Sequence, residues 1–231
     1  MILKKWDNLP KELQLDEVRP YHEALSRRKG SLLLKRLFDI VVSIVMLIIL
    51  SPIFLILSIA IKIDSRGPVF FRQERVTQYG KTFRIYKFRT MVSDADKIGT
   101  QVTIKNDIRI TRVGSFIRDC RLDEIPQLIN IFVGDMTFVG TRPEVKKYVD
   151  QYTNLMKVTL LLPAGVTSLS SIKFKDEAKL LTQYGDIDKA YVEKILPEKM
   201  KFNIQSVKEF SLYNDIKLML KTVQTVFSRN K

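Results

Sequence analysis

Residues 40–61, "IVVSIVMLIILSPIFLILSIAI", carry no charged side chain, and this stretch limits what the chain can fold into more than any other. At the rise of an α-helix it extends about 33 Å, close to the ~30 Å hydrocarbon core of a bilayer. It starts too far from Met1, and runs too long, to be the apolar core of a secretory signal. A helix buried in a water-soluble core is seldom this pure over such a length, so a membrane segment is expected. Ser51-Pro52 lies in its middle. Proline has no N–H for the carbonyl four residues back and clashes with it, which predicts a kink near Leu50-Ser51.

The flanks bear on whether the segment crosses or returns. Arg27, Arg28, Lys29, Lys35 and Arg36 precede it; Lys62, Arg66, Arg72, Arg75, Lys81, Arg84, Lys87 and Arg89 follow it, against only Asp64 and Glu74. Basic flanks prefer the cytoplasmic side of a membrane. A spanning helix satisfies one flank, whereas a helix-break-helix that turns back satisfies both. The expectation is a re-entrant segment at 35–62 between a polar extension at 1–34 and a larger domain at 63–231, with both on the cytoplasmic side. Asp39 is expected at the interface, paired with Lys35 and Arg36. The extension, interrupted by Pro10 and Pro20, reads as a short helical or loose appendage.

The formal net charge of +14 points to an anionic partner: nucleic acid, an anionic membrane surface or a phosphorylated substrate. A single cysteine, Cys120, excludes an intramolecular disulfide and suits a reducing compartment. The single histidine, His22, lies in the N-terminal region, which argues against a Ser-His triad or a histidine-rich zinc site in the larger domain.

Residues 67–91, "GPVFFRQERVTQYGKTFRIYKFRTM", predict a hairpin of Val69–Arg72 and Thr82–Phe88 turning at Gln78-Tyr79-Gly80. Arg84, Lys87 and Arg89 interleave with Phe83, Tyr86 and Phe88, a pattern open to single-stranded nucleic acid, phosphates or plain solvent. Thr111–Arg121 predicts a short helix presenting Arg112, Arg118 and Arg121. "LDEIPQLINIF" predicts a second, with Asp123 as N-cap, Glu124 in the first turn and Pro126 tolerated there. The acidic pair reads as a helix start, or as a nucleophile and base in a field that also attracts phosphate. Arg118 and Arg142 have the fork geometry that clamps a diphosphate. "GDMTFVGTRPE" is a tight loop or a phosphate site, with Gly134 and Gly140 allowing close backbone approach. The C-terminal helix carries Ile216, Met219, Leu220, Val223, Val226 and Phe227 on one face, to pack on the domain or rest on a membrane.

In this order, "KRLFDIVVSIVMLIILSP", "SRGPVFFRQERV", "FRIYKFRTM" and "NDIRITRVGSFIRDCRLDEIPQLINIFVGDMTFVGTRP" resemble the bacterial sugar transferases of the monotopic phosphoglycosyl transferase superfamily. The resemblance implies an α+β protein: a re-entrant membrane helix-break-helix, then a small cytoplasmic catalytic domain with a short hairpin and several helices, some amphipathic at the membrane surface. It implies transfer of a sugar 1-phosphate from a UDP-sugar to polyprenyl phosphate with Mg²⁺, at the cytoplasmic face of the bacterial inner membrane, to begin a capsule, O-antigen, exopolysaccharide or glycoprotein glycan. Asp123 matches the family's nucleophile and magnesium ligand, and Glu124 the base or its support. Lys87, Arg89 and Arg118 match its substrate-binding positions, and Asp135 and Arg142 its substrate-binding or loop-fixing positions. Lys35, Arg36, Asp39, Ser51 and Pro52 match its membrane-insertion motifs. Thr137 and Thr141 stand where Ser and Pro are usual, and "PAGVTSLSSIKF" replaces a Gly-Trp-Ala-Gln run near the nucleotide-sugar site. A membrane-anchored basic binding protein also explains the charge, but not the Asp123-Glu124 and Gly134–Pro143 constellation. A nucleotide-sugar hydrolase is the remaining alternative.

Overall fold

The computed structural model describes residues 3–93, 95, 107–174, 177–181 and 183–227, without the side chains of 178, 179, 226 and 227. Its α-helices are α1 (Arg19–Ser26), α2 (Lys29–Ile49), α3 (Ser51–Asp64), α4 (Arg112–Asp119), α5 (Gln127–Val133), α6 (Lys146–Val149), α7 (Leu169–Lys173), α8 (Glu177–Leu181), α9 (Ile187–Ala190), α10 (Leu196–Lys208) and α11 (Leu212–Phe227). A π-turn, Tyr191–Ile195, joins α9 to α10. Two two-stranded sheets complete it: antiparallel β1 (Phe70–Val76) with β2 (Thr82–Phe88), and parallel β3 (Met136–Val139) with β4 (Ala164–Thr167). The architecture is α+β.

The expected break falls where proline dictates. Leu50 separates α2 from α3, and the two axes bend by 60°. Pro52 offers no N–H to the Ile48 carbonyl, and the Ser51 hydroxyl donates to that oxygen instead, at 2.8 Å. The Ser-Pro pair thus breaks the helix and satisfies the carbonyl that the break exposes.

Helix α2 is inside out for a water-soluble protein. Leu32, Lys35, Asp39 and Ser43 are buried at helical spacing. Leu33, Leu37, Val41, Val45 and Ile48, on the other sides, are exposed, as are Leu55, Ile56, Ile59 and Ile63 of α3. Among the described residues no single helix is long and apolar enough to cross a membrane; the bent pair together has the length and composition.

The buried polar face is pinned to the domain. Asp39 does not pair with Lys35 or Arg36 as expected: its carboxylate accepts from Thr137 Oγ1 at 2.7 Å and from the Phe138 amide at 3.3 Å, on β3. Lys35 donates to Asp215 of α11 at 2.5 Å. Arg36 donates to the carbonyls of Ile131 and Phe132 and caps the C-terminal end of α5. These partners lie about a hundred residues or more away in sequence, beyond any local pairing rule.

Residues 3–32 are not a loose appendage. Leu3, Leu9, Leu13, Val18, Leu25 and Leu32 are buried with Tyr79, Val158, Leu161, Val207 and Phe210 in one apolar cluster. The first of these leucines sit beside or within short 3₁₀ turns, so they show no helical period in the sequence. His22 is buried with them, its Nε2 2.9 Å from the Lys4 carbonyl. On α11, Ile216, Leu220 and Val223 are exposed while Met219 is half-buried; Val226 and Phe227 lie outside the described side chains.

Candidate active site

The acidic pair is set by its backbone. Arg121 adopts a left-handed conformation (φ 58°) after α4, uncommon for a residue with a Cβ. Leu122–Glu124 then form a separate 3₁₀ turn closed by Ile125 N–H to the Leu122 carbonyl at 3.2 Å. Asp123 is therefore not an N-cap. Pro126 has no N–H to continue an α-helix from Leu122, and α5 begins only at Gln127, with Pro126 in the capping position. A shorter turn and a strained residue present the pair, as is common where geometry serves a site.

Around it the fold gathers two cations. Lys87, on β2, lies 3.1 Å from Glu124 Oε1 and 3.6 Å from Asp123 Oδ2. Arg142, beyond β3, donates to Glu124 Oε1 at 2.5 Å. Burial raises the affinity of Asp123 for a proton, Lys87 opposes this, and the neighbouring Glu124 charge adds to it. Burial presses Glu124 the same way, but Arg142 and Lys87 outweigh it and hold this carboxyl well below its ordinary range. Glu124 is thus a fixed anion locked between two cations, while Asp123 is the less neutralised, more basic carboxylate. Arg118 is half-buried on α4 and its charge bears on Asp123.

Two further predicted residues have structural partners. Arg89 is not brought to the pair. Its guanidinium is buried and donates to the carbonyls of Arg66 and Ser65 at 2.5 and 2.7 Å, just beyond the end of α3, and to Ser93 Oγ at 3.1 Å. It fastens the end of α3 to the hairpin. The Asp135 carboxylate accepts from Asn130 Nδ2 at 3.3 Å, and its carbonyl from Thr77 Oγ1 at 2.6 Å. Asn130 also takes the Tyr86 amide and gives to the Arg84 carbonyl, so it sews α5 to β2 and sets Lys87 beside the dyad.

The "GDMTFVG" run is a packing device. Gly134 (φ 99°) ends α5. A Cβ on Gly165 would lie 2.1 Å from the Gly140 nitrogen, so the chains that carry Arg142 and β4 approach only because both residues are glycine.

A cavity of about 300 Å³ opens beside the pair, lined by Glu124, Arg142, Val166, Ile172, Phe174 and Thr222 among others. The segment "PAGVTSLSSIKF" therefore forms part of its wall. Three groups that sequence reasoning missed stand next to Arg142. Glu144 accepts from Tyr191 Oη at 2.5 Å; Lys199 lies 3.0 Å from Tyr191 Oη, 2.9 Å from Glu177 and 3.5 Å from Glu144; Arg75 donates to the Pro143 carbonyl at 3.2 Å. Burial and the Glu144 charge keep Tyr191 protonated, so it remains a donor. Glu144 follows the Arg-Pro pair directly and was within reach of a sequence argument; Lys199, 55 positions on, was not.

A carboxylate pair, two cations facing it and an adjoining cavity make a centre suited to phosphoryl transfer. The chain belongs to the bacterial sugar transferase family, whose model matches residues 30–229. It is 36% identical over 196 residues to the UDP-glucose:undecaprenyl-phosphate glucose-1-phosphate transferase of Escherichia coli (strain K12), covering 83% of this chain and 39% of that protein. It is 34% identical over 218 residues to the undecaprenyl-phosphate galactose phosphotransferase of Salmonella typhimurium, covering 88% of this chain and 42% of that one. Against the exopolysaccharide production protein ExoY of Sinorhizobium fredii it is 30% identical over 207 residues, covering 83% and 84%. The chain thus spans about two fifths of the large relatives and most of the small one.

Proposed function

We propose that this chain transfers a sugar 1-phosphate from a UDP-sugar to polyprenyl phosphate at the cytoplasmic face of the inner membrane, through a covalent intermediate on Asp123. The observation that carries this reading is the asymmetry of the dyad: Glu124 is locked by Arg142 and Lys87, while Asp123 is left basic beside the same cations. In the first step an Asp123 oxygen attacks the sugar-bearing phosphorus. The bond to the bridging oxygen breaks and UMP leaves with the electron pair. In the second step an oxygen of polyprenyl phosphate attacks the same phosphorus, and the Asp123 carboxylate is the leaving group. The acceptor phosphate is largely ionised at neutral pH, so little proton removal is needed, and Glu124 serves to position Lys87 and Arg142.

Magnesium commonly binds through one or two carboxylates together with substrate phosphates. Among the described residues no cluster of three acidic, histidine or cysteine ligands exists, which suits that mode rather than a closed protein cage. Asp123 would hold the ion, since Glu124 is already engaged; the ion would neutralise charge on the transferring phosphoryl group.

The inverted surface of α2 and α3 supports a membrane seat. An apolar exterior over a polar, pinned interior suits a bent pair dipping into one leaflet, with basic flanks returning to the same side. The site then lies where a lipid phosphate meets a soluble nucleotide, and nucleic acid is not the partner. The test is release of UMP from a panel of UDP-sugars, with and without polyprenyl phosphate, by the wild type and Asp123→Asn. Release by the wild type alone, and lipid-linked product only when lipid is present, is the expected result. Equal release by both proteins, or free sugar phosphate as the product, contradicts the reading.

A further inference from the structure

A second cavity, of about 210 Å³, adjoins the first and is lined by Gln73, Arg75, Glu144 and Tyr191 among others; Arg142, Glu177 and Lys199 line both. Neither the sequence motifs nor the proposed chemistry uses it. We infer that this second cavity is the subsite for the sugar of the donor, and that Gln73, Arg75, Glu144, Tyr191 and Lys199 decide which sugar is accepted. The inference rests on the donor reading above.

A nucleotide sugar is a diphosphate with a nucleoside at one end and a sugar at the other. The diphosphate belongs at the two cations that face the dyad, Lys87 and Arg142, of which Arg142, bonded to Glu124 at 2.5 Å, borders the cavities. Arg142 is also where the two cavities meet. The two ends of the donor therefore have two places to go. The larger cavity carries Val166, Ile172 and Phe174, apolar surface of the kind that holds a flat base. The smaller one is walled chiefly by charged and hydrogen-bonding groups. A pyrimidine nucleoside is bulkier and flatter than a hexosyl group, which presents a ring of hydroxyls, each both donor and acceptor. Size and polarity both assign the nucleoside to the larger cavity and the sugar to the smaller.

One wall of the smaller cavity is also held by hydrogen bonds, which fixed partners for a sugar require. Gln73 Oε1 accepts from Arg75 Nε at 3.1 Å and from Nη2 at 2.6 Å. Arg75 holds the Pro143 carbonyl, and the Val76 amide holds the Glu144 carbonyl at 2.9 Å. Tyr191 and Lys199 hold the Glu144 carboxylate from the π-turn and α10. Such π-turns recur at functional sites, and this one aims the Tyr191 hydroxyl at Glu144. The lining holds donors on Arg75, Lys199 and Tyr191 and acceptors on Glu144 and Glu177, so hydroxyls of different orientation have different partners within the cavity.

The test uses the full chain in detergent. UMP release is measured for UDP-glucose, UDP-galactose and their N-acetylamino counterparts with the wild type, Gln73→Ala and Tyr191→Phe. UDP, the donor without its sugar, is measured as an inhibitor of each. The expected result is a change of at least ~10-fold in the ratio of kcat/KM between two donors, with UDP inhibition little changed. Tyr191→Phe removes one hydroxyl and keeps the packing, and thermal unfolding of both variants shows whether they remain folded. Equal losses for every donor in a folded variant, or weaker UDP inhibition with unchanged donor ranking, overturns the assignment. A wild type that releases UMP from no donor instead overturns the donor reading, and the sugar subsite falls with it.

Discussion

Removing the Arg142 guanidinium should expose how much the site depends on one cation. Arg142→Ala deletes the 2.5 Å contact to Glu124 and leaves that carboxylate with Lys87 alone at 3.1 Å. A charge-assisted contact contributes about 1.5–3 kcal/mol, and if it is made to the transferring phosphates this converts to roughly 10- to 150-fold in kcat/KM. Breaking a fully buried ion pair costs about 3–5 kcal/mol of stability. The Arg142 side chain is 36% exposed and the Glu124 side chain 18%, so solvent reduces that figure to about 1–2 kcal/mol. Arg142→Lys keeps the charge and loses the fork, and should fall between wild type and Ala in both readouts. The assays are UMP release under kcat/KM conditions and urea unfolding in detergent. An Arg142→Ala protein with wild-type turnover would refute the assignment of Arg142 to the diphosphate. One that loses activity in the same proportion as folded protein would show that Arg142 only supports the fold.

Other substitutions separate the roles of neighbouring charges. Arg89→Ala should lower stability and detach the end of α3, with residual kcat/KM per folded molecule close to wild type; a selective loss of turnover would return Arg89 to the substrate site. Asp39→Ala strands Thr137 Oγ1 and the Phe138 amide in the interior and should cost about 1–3 kcal/mol, read by denaturant unfolding. Arg109, hydrogen-bonded through Nε and Nη2, holds the Asp107 carboxyl down to about 2, so its stabilisation is full above the unfolded value of ~3.9 and is lost as pH falls through 2. The difference in unfolding midpoint between wild type and Asp107→Asn should therefore be largest near neutrality and shrink below about pH 4. Replacing Ser51 and Pro52 by Ala and Leu removes the break, and a cysteine placed at Lys4 in a Cys120→Ser background should become labelled from the periplasmic side in the fraction of molecules whose shared core of Leu3, Leu9, Val207 and Phe210 has opened. Uniform cytoplasmic protection in that variant would mean that the bend is not what keeps both flanks together.

What was legible in the sequence was what local chemistry controls. Pro52 must interrupt a helix, Gln78-Tyr79-Gly80 must turn, and the short helix expected from Thr111 forms as α4. The Asp123-Glu124 pair and Arg142 stood out by motif, and the fold brings Arg142 and Lys87 to Glu124. Where the structure departs from expectation, the cause is long range. Arg89 was matched to a substrate-binding position by resemblance, and its partners in the structure are carbonyls more than twenty residues upstream. Asp39 was given its nearest cations, but a buried carboxylate takes the partners its face meets, and those come from β3. The N-terminal leucines contribute to a core without regular period, so no pattern announced them. Lys199, Glu177 and Tyr191 join Glu144 only through tertiary folding, and sequence spacing carries no trace of that.

The central claim is a phosphosugar bonded to Asp123, and trapping it tests the claim most directly. The protein is incubated with radiolabelled UDP-sugar in the absence of polyprenyl phosphate, quenched in acid and digested, and the peptide containing Asp123 is sequenced by mass spectrometry. UMP release should saturate near one equivalent, with a mass increase of one sugar phosphate on Asp123 and discharge of the label to lipid when polyprenyl phosphate is added. Label on another residue, or no UMP released until lipid is supplied, would contradict it.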